Sequence, residues 1–161
     1  MITKVLGAPG SGKSTVAQPL AALLPAHVVL DWDAFMDPAA ALAGREIRQS
    51  PDTWPAYRQL VRTVLDTMKH LSVVLLGVCT PAELSGWPID AWIVLDCTDQ
   101  ERRRRLGQRS EADDVQDAIL DAREYRALGL PVIDTTGQTP QRTAADLAEF
   151  IDRLEVAERE R

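Results

Sequence analysis

The sequence contains no asparagine, only two cysteines and two histidines, and no long apolar run. Each shortage removes a class of function. Without asparagine there can be no Asn-Lys-x-Asp motif, by which GTPases read guanine. Cys79 and Cys97 each close a predicted buried strand, and their spacing suggests no metal site, so both read as buried free thiols. His27 and His70 are isolated, and neither is assigned a ligand role. The longest apolar run, over 73–79, is far short of the ~20 residues that a membrane helix needs. Because strand and loop begin at once, no signal peptide is expected, and the expected compartment is the cytoplasm. Net positive charge is also missing. The formal net charge is -6 over 161 residues, which argues against long nucleic acids as partners. That length fits a single domain spanning 1–161 with a sizeable core.

What the sequence does have is Gly7-Ala8-Pro9-Gly10-Ser11-Gly12-Lys13-Ser14-Thr15. It fits the phosphate-loop pattern Gly-x4-Gly-Lys-[Ser/Thr]. Glycines allow successive amide N–H groups to converge on one anion. Lys13 adds a mobile charge for the terminal phosphates, and the Ser14 hydroxyl can ligate Mg2+. Residues 2–6 before it read as a short buried strand, and 14–24 after it carry apolar residues at helical spacing. A strand, a glycine loop and a helix N-terminus in that order predict a nucleoside triphosphate site.

A second strand over 27–30 runs into Asp31-Trp32-Asp33. If that segment is extended, both carboxylates share one face and Trp32 takes the other. Two acids at the end of a buried strand suit a metal or a substrate; the alternative is a solvated turn with two helix-capping aspartates. A helix is expected from about Thr53, with Pro55 in its first turn. The unbroken apolar run of the third strand suits a parallel sheet covered on both faces, and a fourth strand spans 91–96. Thr98-Asp99-Gln100-Glu101 reads as a capping box. It opens a helix on which Arg102, Arg105 and Arg109 share a stripe, while Arg103 and Arg104 point elsewhere. A further helix over 110–128 and a fifth strand over 131–134 follow. Thr139-Pro140 caps a last helix, whose charged tail from Glu155 is expected to fray. Strands alternate with helices throughout, which predicts an α/β fold with a five-stranded parallel sheet.

Three segments together resemble the small P-loop kinases, the group of nucleoside monophosphate, shikimate and gluconate kinases and polynucleotide-kinase-type enzymes. They are the phosphate loop, Leu30-Asp31-Trp32-Asp33 followed by Asp37-Pro38, and Leu95-Asp96-Cys97-Thr98 leading to Arg105-Leu106-Gly107-Gln108-Arg109. Ile133-Asp134-Thr135-Thr136-Gly137 is similar to their last strand and adenine-side turn. The resemblance implies ATP and Mg2+ as cofactors, with Asp31 helping to hold the metal and Asp33 binding the acceptor hydroxyl. It places Arg105 and Arg109 on nucleotide and LID, over about 102–125, and an acceptor-binding insert at about 36–58. The third strand lacks a terminal acid, so Asp31 would have to supply the Walker B role. Asp96 ends an apolar strand, but its place before the arginine helix suggests a structural turn.

The resulting expectation is an ATP-dependent phosphotransferase acting on a hydroxyl of a small molecule. Lys13, Asp33 and Arg109 are its expected catalytic residues. Gly7 to Thr15, Arg105 and Gly137 would hold the nucleotide, and Ser14 and Asp31 the metal. Trp32, Phe35, Arg45, Arg48, Trp54 and Tyr57 are candidates for the acceptor pocket or, equally, for packing. One alternative is a regulatory nucleotide-binding module or ATPase without an acceptor, which does not require the Asp31/Asp33 pair. The other is a nucleotide or polynucleotide kinase, which the acidic balance disfavours. Leu84-Ser85-Gly86-Trp87 stops short of the transporter Leu-Ser-Gly-Gly signature.

Overall fold

Five runs rich in β-branched residues and leucine form strands in the computed structural model, which describes residues 1–107 and 112–160. They are β1 (Ile2–Leu6), β2 (His27–Asp31), β3 (Ser72–Gly77), β4 (Ala91–Asp96) and β5 (Val132–Asp134). The helices are α1 (Lys13–Leu23), α2 (Met36–Ala43), α3 (Trp54–Thr67), α4 (Asp99–Leu106), α5 (Ala112–Ala127) and α6 (Pro140–Arg159). The sheet order is β2-β3-β1-β4-β5 and every pairing is parallel, as the alternation of elements predicts.

Side-chain alternation along each strand divides the core between the two faces of the sheet. On one face Val5, Val74, Leu76, Ile93 and Leu95 pack with Val16 and Leu20 of α1 and Leu147 and Ile151 of α6. On the other, Ile2, Val73 and Leu75 pack with Trp32, Met36 and the α3 residues Tyr57, Val61 and Leu65. Those α3 positions are spaced by four and make one buried stripe, with Val61 and Leu65 fully enclosed. Burial of each such aliphatic side chain stabilises the fold by about 1.5–3 kcal/mol. An aspartate at position 61 would instead enclose an unpaired charge and undock the helix.

Register sets the position of the site. Leu6 lies opposite Gly77 and Asp31 opposite Leu76, so the loop after β1 and the turn after β2 leave the same edge of the sheet. That edge is the carboxyl end of the strands, where open parallel sheets bind ligands.

Two local expectations need correction. The chain is not extended through Asp31-Trp32-Asp33: β2 stops at Asp31, and a 3-10 turn covers Trp32–Phe35. The physical cause is the Asp31 side chain, which caps the turn by accepting from the Asp33 N–H at 3.0 Å. The charged tail also stays helical to Arg159. Glu155 anchors it, accepting from Ser72 Oγ at 2.7 Å and meeting His27 Nε2 at 3.1 Å.

Candidate functional site

Gly10 and Gly12 adopt left-handed backbone, with φ of 78° and 96°, a region that side-chain-bearing residues rarely enter. Gly12 is the N-cap of α1 and offers no side-chain oxygen, so the first helical N–H groups face the loop without a side-chain cap. Such a terminus attracts an anion through its orphan donors and its dipole. Lys13 folds back along the loop and donates to the carbonyl oxygens of Gly7 and, at 3.3 Å, Ala8. Burial draws its pKa down to about 8, against the opposing pull of Asp33 and Asp31. The ammonium is thus held at the loop by dipoles and retains charge near neutral pH.

Opposite the loop, the 3-10 turn brings both acids to one cleft of about 640 Å³ that Lys13, Ser14 and Thr15 also line. Their convergence is as expected, but the backbone that achieves it is a capped turn. Trp32 fills the space beneath: it is fully buried, 5.5 Å edge-on from the Tyr57 ring and 5.8 Å from the Trp87 ring. Tyr57 Oη donates to the Trp32 carbonyl and pins the turn from α3. Asp33 Oδ2 lies 3.1 Å from the Arg48 guanidinium; with side chains 39% and 63% exposed, the pair contributes little to stability. Asp31 Oδ1 is occupied by the cap, and among the described residues its Oδ2 accepts no hydrogen bond.

Helix α4 closes the other side. Thr98 caps it, its Oγ1 accepting from the Glu101 N–H at 3.3 Å. Arg105 donates to Gly10 O at 3.1 Å, to Thr135 Oγ1 at 3.0 Å and to Thr135 O at 2.6 Å, while its Nε meets Glu101 at 2.8 Å. Thr135 Oγ1 in turn donates to Ser11 O at 3.0 Å. Glu101 also holds Arg104, and that bond, with help from Arg105, lowers its pKa to about 2 despite desolvation. Arg102 is fully buried, donating to Pro9 O and, at 2.6 Å, to Asp96 Oδ1. Asp96 Oδ2 accepts from Arg126 at 2.5 Å, so both carboxylate oxygens are engaged by guanidinium groups.

The structure therefore brings together Pro9 to Thr15, Asp31, Asp33, Arg105 and Gly137 around one cleft, with Gly7 and Ala8 behind them supplying carbonyls to Lys13. Arg109 lies outside the described residues. Of the acceptor candidates, Arg48 and Trp54 line the cleft. Trp32 and Tyr57 are core, Phe35 packs against that core, and Arg45 pairs with Asp52 at 2.7 Å. Both cysteines are free and buried. Arg102 and Thr135 also brace the loop, outside the residues that the sequence leads one to expect at the site; the sequence signal for Arg102 is its place in the stripe with Arg105.

Among the described residues no cluster of three or more His, Cys, Asp or Glu side chains could hold a metal by itself. The donor set that is present, one serine hydroxyl and one carboxylate beside an anion site, suits Mg2+, which takes few protein ligands and shares phosphate oxygens. The left-handed loop and open helix terminus likewise suit a polyphosphate.

The profile of the AAA domain family matches residues 4–126. A search of curated protein sequences returns no match. Among solved structures, TT1252 from Thermus thermophilus is similar, with a TM-score of 0.66 and 23% identity, over 94% of this chain and 97% of that one. A shikimate kinase from Aquifex aeolicus superposes with a TM-score of 0.63 at 16% identity, covering 97% and 99% of the two chains. A sugar kinase from Janibacter sp. HTCC2649 gives 0.62 at 18% identity, covering 94% of each. With most of its length matched and its phosphate loop at the sheet's carboxyl edge, this chain belongs to the AAA domain family and has the fold of the small P-loop kinases.

Proposed function

We propose that the protein transfers the γ-phosphoryl group of ATP to a hydroxyl of a small molecule. The observation that carries this reading is Asp33, a half-exposed carboxylate that shares the cleft with the phosphate loop and lies beside Arg48. A nucleotide switch has no need of an acid there. Loop N–H groups, Lys13, Arg105 and Arg109 bind and neutralise the phosphates, and Gly137 borders the base. Ser14 and Asp31 would hold Mg2+, which would offset phosphate charge. Asp33 accepts the hydroxyl proton as the acceptor oxygen bonds to the γ-phosphorus and the bond from that phosphorus to the β,γ-bridging oxygen breaks, so that ADP leaves. Residues 36–58 supply the acceptor pocket, with Arg48 and Trp54 on its wall, and 102–125 act as the LID.

ATP consumption should be screened against a library of hydroxyl compounds, then repeated with Asp33→Asn on any hit. Transfer by the parent and its loss in the variant, with nucleotide binding kept, is the expected result. Acceptor-independent hydrolysis alone, equal in both proteins, would favour a regulatory ATPase. Phosphorylation of an oligonucleotide end but of no library compound would favour a polynucleotide kinase.

A further inference from the structure

Lys4 lies in the central strand, three residues before the phosphate loop, with Leu75 and Trp92 as its register partners. It is fully buried, and its Nζ has no hydrogen-bond partner among the described residues. The space for that amine is built. A Cβ on Gly77 would sit 2.5 Å from Nζ and 2.8 Å from Trp32 Cβ, so only glycine leaves room. Nζ lies 5.6 Å from the centre of the Trp32 ring, whose residue joins Asp31 to Asp33.

A chain that needed only to fill this volume would do better with methionine. A buried amine whose N–H groups are all unused carries a desolvation penalty, and an apolar replacement of similar shape removes it. The groups facing the amine explain what the charge could do. Asp31 at the end of β2 and Asp33 in the 3-10 turn favour its protonated form, as does the Cys79 thiol after β3, while Lys13 from α1 opposes it. Tyr57 of α3 touches the same turn through the Trp32 carbonyl. Burial outweighs the favourable partners and draws the pKa of Lys4 down to about 7. Polyphosphate bound by Lys13 would cancel the one opposing charge and add an attractive one.

We propose that Lys4 is a positioning residue for this site, taking up one proton from solvent when a nucleoside triphosphate fills the phosphate loop and then holding the Trp32 turn, with its two acids, by its charge. This rests on the nucleotide reading above. The amine becomes an ammonium, no other bond changes, and the cation–π contact with Trp32 strengthens as the charge becomes permanent.

The test compares the parent with Lys4→Met in three measurements. Calorimetry with a non-hydrolysable ATP analogue and Mg2+ is run near pH 7.5 in two buffers of different ionisation enthalpy. Thermal unfolding and steady-state turnover complete the set. The variant should melt at a higher temperature, take up fewer protons than the parent, and bind the analogue about tenfold more weakly, because a proton gained on binding is linked to affinity. Its kcat should also fall by about tenfold or more, since misplaced reacting groups can cost on the order of 10²-fold. Equal proton uptake and equal turnover in the two proteins would overturn the inference alone. A variant that cannot fold would also overturn it, because the amine would then be part of the fold. Failure of the parent to bind the analogue would overturn the nucleotide reading itself, and this inference with it.

Discussion

Lys13 is held at the mouth of its loop by carbonyl dipoles of Gly7 and Ala8, and no core contact depends on its ammonium. Lys13→Ala should therefore keep the fold by circular dichroism and lose about 10²–10³-fold in turnover, the scale on which removal of one charge-stabilising donor acts. Near-normal turnover would contradict the nucleotide site. The two acids separate cleanly. Asp33→Asn keeps size and hydrogen bonding but removes basicity, so transfer should fall in the lower half of about 10²–10⁴-fold with ATP affinity kept. Asp31→Asn can still accept from the Asp33 N–H and keep the turn capped. Its thermal stability should stay near the parent's, while the Mg2+ concentration needed for activity rises. Turnover at the parent rate with Asp33→Asn would leave Asp33 as a surface partner of Arg48. At this scale the loop was fully legible, because its glycine spacing states the backbone it needs. Lys4 left a signal too, a lysine inside an apolar strand, but its meaning depends on Gly77 and Trp32, which only the folded sheet brings near.

Helix α4 shows what periodicity can and cannot say about an element. The stripe of Arg102 and Arg105 was readable from spacing, and both reach the phosphate loop. Their different burial is not readable from spacing: Arg102 is enclosed against Pro9 and Asp96, whereas Arg105 lines the cleft. Arg102→Ala leaves Asp96 with Arg126 alone and takes one of three braces from the loop, the others being Arg105 and Thr135. Loss of hydrogen bonds to a charged partner costs about 1.5–3 kcal/mol. Chemical denaturation should show that loss, whereas Arg103→Ala, on an exposed position, should remain within about 0.5 kcal/mol of the parent. Arg105 holds Gly10 and Thr135 through a planar fork, so Arg105→Lys should lower turnover even though the charge is kept. If Arg103→Ala were as damaging as Arg102→Ala, the assignment of faces on α4 would be wrong. The 3-10 turn after β2 is ambiguous in sequence for a related reason: capping by Asp31 competes with extension, and the same residues allow both outcomes.

Across the whole molecule, the two buried lysines, Lys4 in the central strand and Lys13 at the phosphate loop, work against the stability of the fold that carries them. Burial lowers Lys4 to about 7 and Lys13 to about 8, both from an ordinary value of 10.5. Between those limits the unfolded chain keeps protons that the folded chain has released. Stability therefore rises with pH through that window, and below about pH 7 the full penalty is present and constant. Buried thiols act in the opposite sense: Cys79 is pushed up to about 11 from 9.0, mainly by desolvation. Above about pH 9 the unfolded chain loses thiol protons that the folded chain retains, and the rise slows. Because the unfolded lysines hold their protons up to about 10.5, the melting temperature should climb from pH 7 to a maximum near pH 10 and then decline. Lys4→Met should flatten the climb while keeping a decline, because it removes the larger lysine penalty and leaves both buried thiols in place. Differential scanning calorimetry of both proteins from pH 6 to 11 measures this directly. A parent curve that falls steadily from pH 7 would mean that the Lys4 amine is not held at a penalty, and a Met curve parallel to the parent's would place the source of the climb elsewhere.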